Sequence, residues 1–259
     1  MICKADTPAA QKRYRAAFEN GRDPVSCMLG SRLEAFRGVP GTPWQFYTGG
    51  SKEPPLALAV RGCSAWLAGF AQPDELELLL RVMGVDRLTV WEDTQVPESW
   101  TLCDTMQVFS LKPGSCLNAG DPPDGFQVEE HPGLWQTAQL VAQQPGFTSE
   151  AQDNFYADSC ALVNRGFARI WAGELDGRMT ATAGAYALWQ DAACLAAIYT
   201  RPEDRHKQLG RALTARLTNH LCGEGFWVTL ESAHGKENFY RALGFKQTGV
   251  TRRYAPPKE

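Results

Sequence analysis

The sequence predicts an α/β protein built on a mixed α+β sheet, and three observations carry that prediction. After residue 125, strand-like and helix-like segments follow one another in the order β-α-α-β-β-β-α-β-α-β. A stretch rich in proline and glycine at residues 112–125, KPGSCLNAGDPPDG, breaks the apolar periodicity and sets off a smaller first half. A basic turn followed by an amphipathic segment, RPEDRHKQLGRALTARL at residues 201–217, reads as a strand-to-helix connection.

In the first half, TPWQFYTGG reads as a strand and PLALAVRGCSAWLAGF as a hairpin folded at Arg61 and Gly62. DELELLLRVMG reads as a short buried helix stopped by Gly84, and RLTVWED and TMQVFSLK as two further strands. The polar N-terminal helical segment packs on this layer. The expected domains are residues 1–118, a smaller α/β domain, and residues 119–259.

The second domain begins with a strand, FQVEEH, and two helices, GLWQTAQLVAQQ and SEAQDNFYADSCALVNRG. ARIWAGELDGRMTATAGAYALWQDAACLAAIYT reads as three consecutive strands with turns at Asp176-Gly177 and Gln190-Asp191. Leu209, Leu213, Leu217 and Leu221 recur every four residues, the apolar stripe of a helix that ends near Gly223 and Gly225. FWVTLESA, KENFYRALG and FKQTGVTRRYA complete the order as strand, helix and strand.

Composition narrows the function classes. With 259 residues, 44% of them hydrophobic, the chain can form a large core. A formal net charge of −3 argues against nucleic acid as a partner. No apolar run is long enough for a membrane span and the N-terminus has no signal-like apolar stretch, so no membrane partner and a cytoplasmic location are expected. The eight cysteines are dispersed with no CxxC pair, and the histidines show no metal-ligand spacing, so neither a zinc site nor a disulfide framework is expected.

The basic turn places Arg201, Arg205, His206, Lys207 and Arg211 around one glycine, Gly210, directly before a helix. The free amides of roughly His206 to Ala212, at the positive end of a helix dipole, suit an anion such as a pyrophosphate. The turn is neither a Walker A loop nor a dinucleotide fingerprint, because GxxxxGK[ST] and GxGxxG are absent.

IYTRPEDRHKQLGRALT resembles the acyl-CoA-binding motif R/Q-x-x-G-x-G/A of the GCN5-related N-acetyltransferases (GNAT), and LESAHGKENFYRALGF resembles the second part of their signature. The resemblance implies a GNAT fold in the second half, with the sheet split between its fourth and fifth strands and acetyl-CoA (coenzyme A) as cofactor. It implies that the pantetheine pairs with backbone groups at Ile198, Tyr199 and Thr200. Arg205 takes the R/Q position, Gly210 the second glycine, and Arg211-Ala212 the helix start beneath the pyrophosphate; His206, Lys207 and Leu209 lie in the same loop. Gln208 stands where the first glycine is usual, and a positive φ there would cost it on the order of 1 kcal/mol. Asn238 matches the asparagine expected to bond the cofactor, and Tyr240 the tyrosine expected near the sulfur.

The implied reaction needs a neutral amine held at the thioester, donors for the oxyanion and a proton for the departing thiolate. Tyr240 is the expected acid, turned about 100° from Phe239 and Leu243, which face the core. For the base, Glu231 at the end of its strand is the first candidate; His234 in the following loop, or water, is the alternative.

The first half resembles a shortened, degenerate copy of the same layout. Its helix begins PDELELLL, where Asp74, Glu75 and Glu77 would repel a pyrophosphate. Two function classes follow. The first is an acetyl-CoA-dependent N-acetyltransferase acting on a primary amine of a small molecule or peptide, as monomer or homodimer; the second is a non-catalytic acyl-CoA-binding regulatory module.

Overall fold

The computed structural model describes residues 1–50 and 54–257. By its contacts the chain divides into two compact units, one of Met1–Val108, Glu231–Gly235 and Thr248–Glu259, the other of Phe109–Leu230 and Lys236–Gln247. The division falls at residue 108, not at 118, and is not sequential. Residues 112–125 belong wholly to the second unit, and two later segments complete the first.

In the first unit, strand β1 (Cys3–Lys4) is followed by helices α1 (Pro8–Ala16) and α2 (Pro24–Phe36). Both helices open on a side-chain cap and a proline in the first turn: Thr7 accepts from the Ala10 amide, and Asp23 from those of Val25 and Ser26. Strands β2 (Trp44–Gly49), β3 (Leu56–Arg61) and β4 (Ser64–Ala68), helix α3 (Pro73–Val82) and strand β5 (Arg87–Trp91) follow. The sheet runs antiparallel from β1 through β4 and parallel from β4 to β5. Residues 251–254 pair antiparallel with β5. Leu76 and Leu80 of α3 pack on Leu56, Leu58, Val60, Leu67, Leu88 and Val90, all buried.

The second unit repeats that order. Strand β6 (Thr101–Leu111) enters it at Phe109; then come β7 (Phe126–Glu129), α4 (Leu134–Val141), α5 (Ser149–Asn164), β8 (Arg169–Leu175), β9 (Arg178–Trp189), β10 (Ala192–Thr200), α6 (Leu209–Gly223), β11 (Trp227–Ser232), which leaves the unit after Leu230, α7 (Glu237–Leu243), and β12 (Lys246–Ala255), which leaves it after Gln247. Strands β7 to β10 are antiparallel and β10–β11 parallel. The order β-α-α-β-β-β-α-β, with the same pairing sense, therefore occurs twice. The first copy is fuller than the shortened one expected, because β1 spans two residues and α1 is too polar to mark itself by apolar period.

The predicted leucine stripe of α6 is the centre of the second core. Leu209, Leu213, Leu217 and Leu221 are at most 1% exposed and pack on Ala181, Ala183 and Ala185 of β9 and Val228 and Leu230 of β11. Alanines at alternate positions of β9 let the helix approach closely, and each buried leucine contributes about 1.5–3 kcal/mol of transfer free energy. Hydroxyls close the polar gaps: Ser110 Oγ lies 3.1 Å from Thr229 Oγ1.

Gly69, after β4, is held by a hard contact. At φ +76 an added Cβ would stand 1.7 Å from the carbonyl oxygen of Pro55, a backbone atom. Gly69→Ala is expected to destabilise the first unit by at least about 2 kcal/mol, strain and collision adding, as read from its denaturant midpoint.

Candidate active site

The site is built where β10 leaves its neighbours. Pairing with β11 runs from Ala192 opposite Trp227 to Leu195 opposite Leu230, and β10 continues five residues further to Thr200. On the other edge, the register with β9 shifts between Ala196 and Tyr199, so that Ala197 and Ile198 together oppose one residue. Ala197 has φ +50, an uncommon value for alanine in a strand. The sheet is thus split between β10 and β11, the fourth and fifth strands counted from β7, and backbone groups of residues 196–200 have no partner on β11. Ile198, Tyr199 and Thr200 lie on this stretch.

The turn after Thr200 is fastened from beneath. The Arg201 amide donates to Thr180 O at 2.9 Å, and a short 3-10 turn, Pro202–Asp204, follows. The Asp204 carboxylate, 1% exposed, receives Arg178 at 2.7 Å and Lys207 Nζ at 2.8 Å. A buried carboxylate needs such partners, and two cations on one carboxylate fix the loop's path. The Lys207 ammonium is therefore committed inside the loop, while Arg205 bonds the Thr200 carbonyl at 3.3 Å with its guanidinium over the Tyr199 ring.

The helix start shows the geometry that Gln208 left open. His206 and Gln208 both have positive φ, +64 and +62, and Gln208 is the N-cap of α6 in the left-handed conformation, with no side-chain cap. Gln208 thus takes the backbone state that a glycine would supply. Its carbonyl accepts the first helical bond, from Ala212 at 2.9 Å, so the amides of Leu209, Gly210 and Arg211 have no intrahelical acceptor. Arg211 Nε is buried without a hydrogen-bond partner. Gly210 also serves packing: a Cβ there would lie 2.7 Å from Thr200 Oγ1.

The catalytic candidates fall differently. Tyr240 does not turn away from the core. It is 7% exposed and belongs to the core cluster, its ring 6.0 Å from Phe109, 5.2 Å from Phe239 and 6.1 Å from Phe245. Tyr240 and Leu243, three residues apart on α7, take its buried face, Asn238, Arg241 and Ala242 are exposed, and Phe239 is only half-buried. Burial pushes the phenol up to about 12. Asn238 is exposed at the start of α7, its Oδ1 3.4 Å from Arg241. In the first unit, Glu231 receives Arg253 and the Thr251 hydroxyl, each at 2.8 Å. His234 Nε2 lies 2.7 Å from Asp104, whose second oxygen faces Arg253 at 3.2 Å. Burial would raise the Asp104 carboxyl, but the His234 bond and the Arg253 charge outweigh it and hold it below its ordinary value.

Asp204, Arg178, Asp104 and Arg253 were missed by sequence reasoning. Apart from Lys207, which lies three residues from Asp204, their partners are 22 to 149 residues away and no local pattern marks them. Among the described residues, no group of three or more His, Cys, Asp or Glu is placed to hold a metal ion, and no helix is long and apolar enough to cross a membrane.

The raised phenol gives a linkage prediction. An unfolded tyrosine ionises near 10, so Tyr240 contributes full stability below pH 10 and loses it as pH rises toward 12. Urea unfolding of wild type and Tyr240→Phe at pH 9 and pH 11 should show the wild-type advantage shrinking by on the order of 1 kcal/mol at the higher pH.

Residues 166–247 match the family model of the acetyltransferase (GNAT) domain. The chain also resembles three solved structures. One is a GCN5-related N-acetyltransferase from Kribbella flavida, at 15% identity and TM-score 0.59, covering 92% of this chain and 97% of that one. Another is an acetyltransferase of the GNAT family from Colwellia psychrerythraea, at 13% and 0.60, covering 100% of both. The third is a tandem GNAT protein from the clavulanic acid biosynthesis pathway, at 14% and 0.61, covering 100% and 99%. No curated protein sequence matches. The chain carries a GNAT acetyltransferase domain at residues 166–247 and has the GNAT fold in a two-unit arrangement.

Proposed function

We propose that the protein is an acetyl-CoA-dependent N-acetyltransferase that acetylates a primary amine of a small molecule or peptide by direct attack on the thioester. The observation that carries this reading is the left-handed cap at Gln208, which leaves the amides of Leu209, Gly210 and Arg211 unclaimed directly after a strand opened beyond Leu195. These residues fit the bound group. The three amides, with the buried Nε of Arg211, would hold the pyrophosphate, His206 lying in the same loop and Lys207 stiffening it through Asp204. Ile198, Tyr199 and Thr200 would pair with the pantetheine arm, and Asn238 would bond it at the start of α7. When bound, acetyl-CoA supplies an acyl carbonyl already activated by its thioester.

The chain's own residues then orient and move protons. Amides freed at the bulge of β10 would donate to the acyl oxygen as charge develops there. Tyr240, kept protonated by burial, would donate to the departing sulfur. For the amine proton the candidates remain Glu231, His234 and water. The Glu231 carboxylate is engaged by Arg253 and the Thr251 hydroxyl, and His234 is exposed with its Nε2 on Asp104. The eight cysteines are free thiols, in keeping with a cytoplasmic enzyme. The reading includes action as a monomer or homodimer.

A second reading, a non-catalytic acyl-CoA-binding regulatory module, is favoured by one observation: Tyr240 is packed among Phe109, Phe239 and Phe245, as a purely structural ring would be.

Two measurements test these readings. Calorimetry should find one acetyl-CoA per chain, with Gly210→Glu abolishing binding and Gly210→Ala, which meets only the Thr200 hydroxyl, weakening it by less than about tenfold. Unchanged affinity in Gly210→Glu would overturn the site. For Tyr240→Phe, thiol release with an amine that the wild type acetylates should show kcat lower by on the order of 10²-fold with acetyl-CoA affinity nearly unchanged. Wild-type turnover in that variant would remove Tyr240 as the acid, and a wild type that binds acetyl-CoA but acetylates no amine in a broad panel would favour the module.

A further inference from the structure

Residues 114–120, read from composition as part of a linker, are a strap laid along α6. The Gly114 amide donates to the carbonyl of Cys222, near the end of that helix, at 3.0 Å. Asn219, one turn earlier, grips Leu117 on both sides: its Oδ1 accepts the Leu117 amide at 2.6 Å and its Nδ2 donates to the Leu117 carbonyl at 2.9 Å. The Leu117 side chain is 6% exposed in the core cluster and Ala119 packs against it. Asn118 Oδ1 then accepts the Gly120 amide at 2.8 Å, turning the chain at Gly120, where φ is +69. At that point the strap has reached the other end of the helix. A Cβ on Gly120 would lie 2.5 Å from Gln208 Oε1 and 3.4 Å from both Cδ and Nε of Arg211. The lengths agree: six extended steps cover about 20 Å, and fifteen helical residues about 22 Å.

We propose that the turn at Asn118 and Gly120 is a positioning element of the acyl-CoA loop, packing against the Gln208 carboxamide and the Arg211 guanidinium so that the left-handed cap is held in place before ligand arrives. This rests on the acyl-CoA reading of the loop. The physical need is specific to this chain. A glutamine at φ +62 is strained where a glycine would not be, and with no cap bond of its own it relaxes unless something holds its side chain. The strap supplies that hold and lies against Arg211 Nε, which is buried without a hydrogen-bond partner. Gly120 is suited to the position because the turn is left-handed and the approach leaves no room for a side chain.

The test uses the full-length chain, with acetyl-CoA affinity measured by calorimetry and folding checked by circular dichroism and melting temperature. Gly120→Ala displaces the carboxamide, a flexible end that can swing aside, so the fold should persist while Kd weakens about five- to thirtyfold. Gly114→Ala has the same left-handed strain at φ +73 but open space around it, and should stay within about twofold of wild type. Gln208→Ala, which loses the contact but keeps the strain, should weaken binding as Gly120→Ala does. Gln208→Gly relieves the strain and should stay within about threefold of wild type, and Gly120→Ala combined with it should match Gln208→Gly alone. If an active acceptor is found, the acetyl-CoA KM of Gly120→Ala should rise with kcat within about twofold. Wild-type affinity in Gly120→Ala or Gln208→Ala, an equal loss in Gly114→Ala, or no recovery in the double variant would each overturn the proposal. A wild type that binds no acetyl-CoA would overturn the reading on which it rests.

Discussion

The parallel pairing of β10 with β11 and its early stop at Leu195 govern the second unit. Two parallel neighbours cannot be joined by a tight turn, so the chain must cross over, and the crossover here is α6. That requirement sets the helix's N-terminus beside the C-terminal end of β10, where its unpaired amides face the groups β10 has released. The stop itself follows from the bulge at Ala197 and Ile198, which bends β10 after its fourth paired residue. The leucine stripe of α6 then fixes the helix on β9 and β11, so its N-terminal end is held by the core rather than by the loop alone.

The first unit meets the same constraint with a different outcome. Its β4 and β5 are parallel and α3 is their crossover, yet only four residues separate Ala68 from Pro73, against eight between Thr200 and Leu209. Gly69 is pressed against the Pro55 carbonyl, and the first turn of α3 carries Asp74 and Glu75, with Glu75 taking the N-terminal amine at 3.5 Å. A short connection with negative charge has neither the span nor the field to receive a pyrophosphate. Topology was therefore repeated while the chemistry of the crossover was not.

Most of the fold was legible because the helical stripe and the turn signals were strong. The leucines of α6, the three consecutive strands β8 to β10 and the turns at Asp176-Gly177 and Gln190-Asp191 all stand where pattern put them. Strand β1 was not legible, since two residues make no pattern, and the non-sequential units were not, since pairing of residues 251–254 with β5 is a long-range event. In the site, local features read correctly and side-chain commitments did not. The basic turn and its glycine were visible, but the fate of each charge depends on Asp204 and Arg178, which local sequence does not connect. Tyr240 shows how a helical face can be assigned one residue off: Tyr240 and Leu243, at i and i+3, are the buried pair, while Phe239, at i and i+4 with Leu243, is only half-buried.

The burial of Tyr240 also bears on what kind of acid it can be. A phenol raised to about 12 stays protonated at neutral pH but gives up its proton reluctantly. A released thiolate of ordinary basicity, about 8.5, would take this proton only uphill, and the sulfur of an intact thioester is less basic still. A hydrogen bond that strengthens as charge gathers on sulfur has no such cost, and the apolar ring contacts that raise the phenol also strengthen that bond by excluding water. Under the proposed function, the same packing that weakens Tyr240 as a free acid would favour it as a fixed donor, because Phe109, Phe239 and Phe245 surround its ring. In this reading the aromatic core and the reaction centre are one structure, and a change that loosens the ring would cost rate even with the hydroxyl intact.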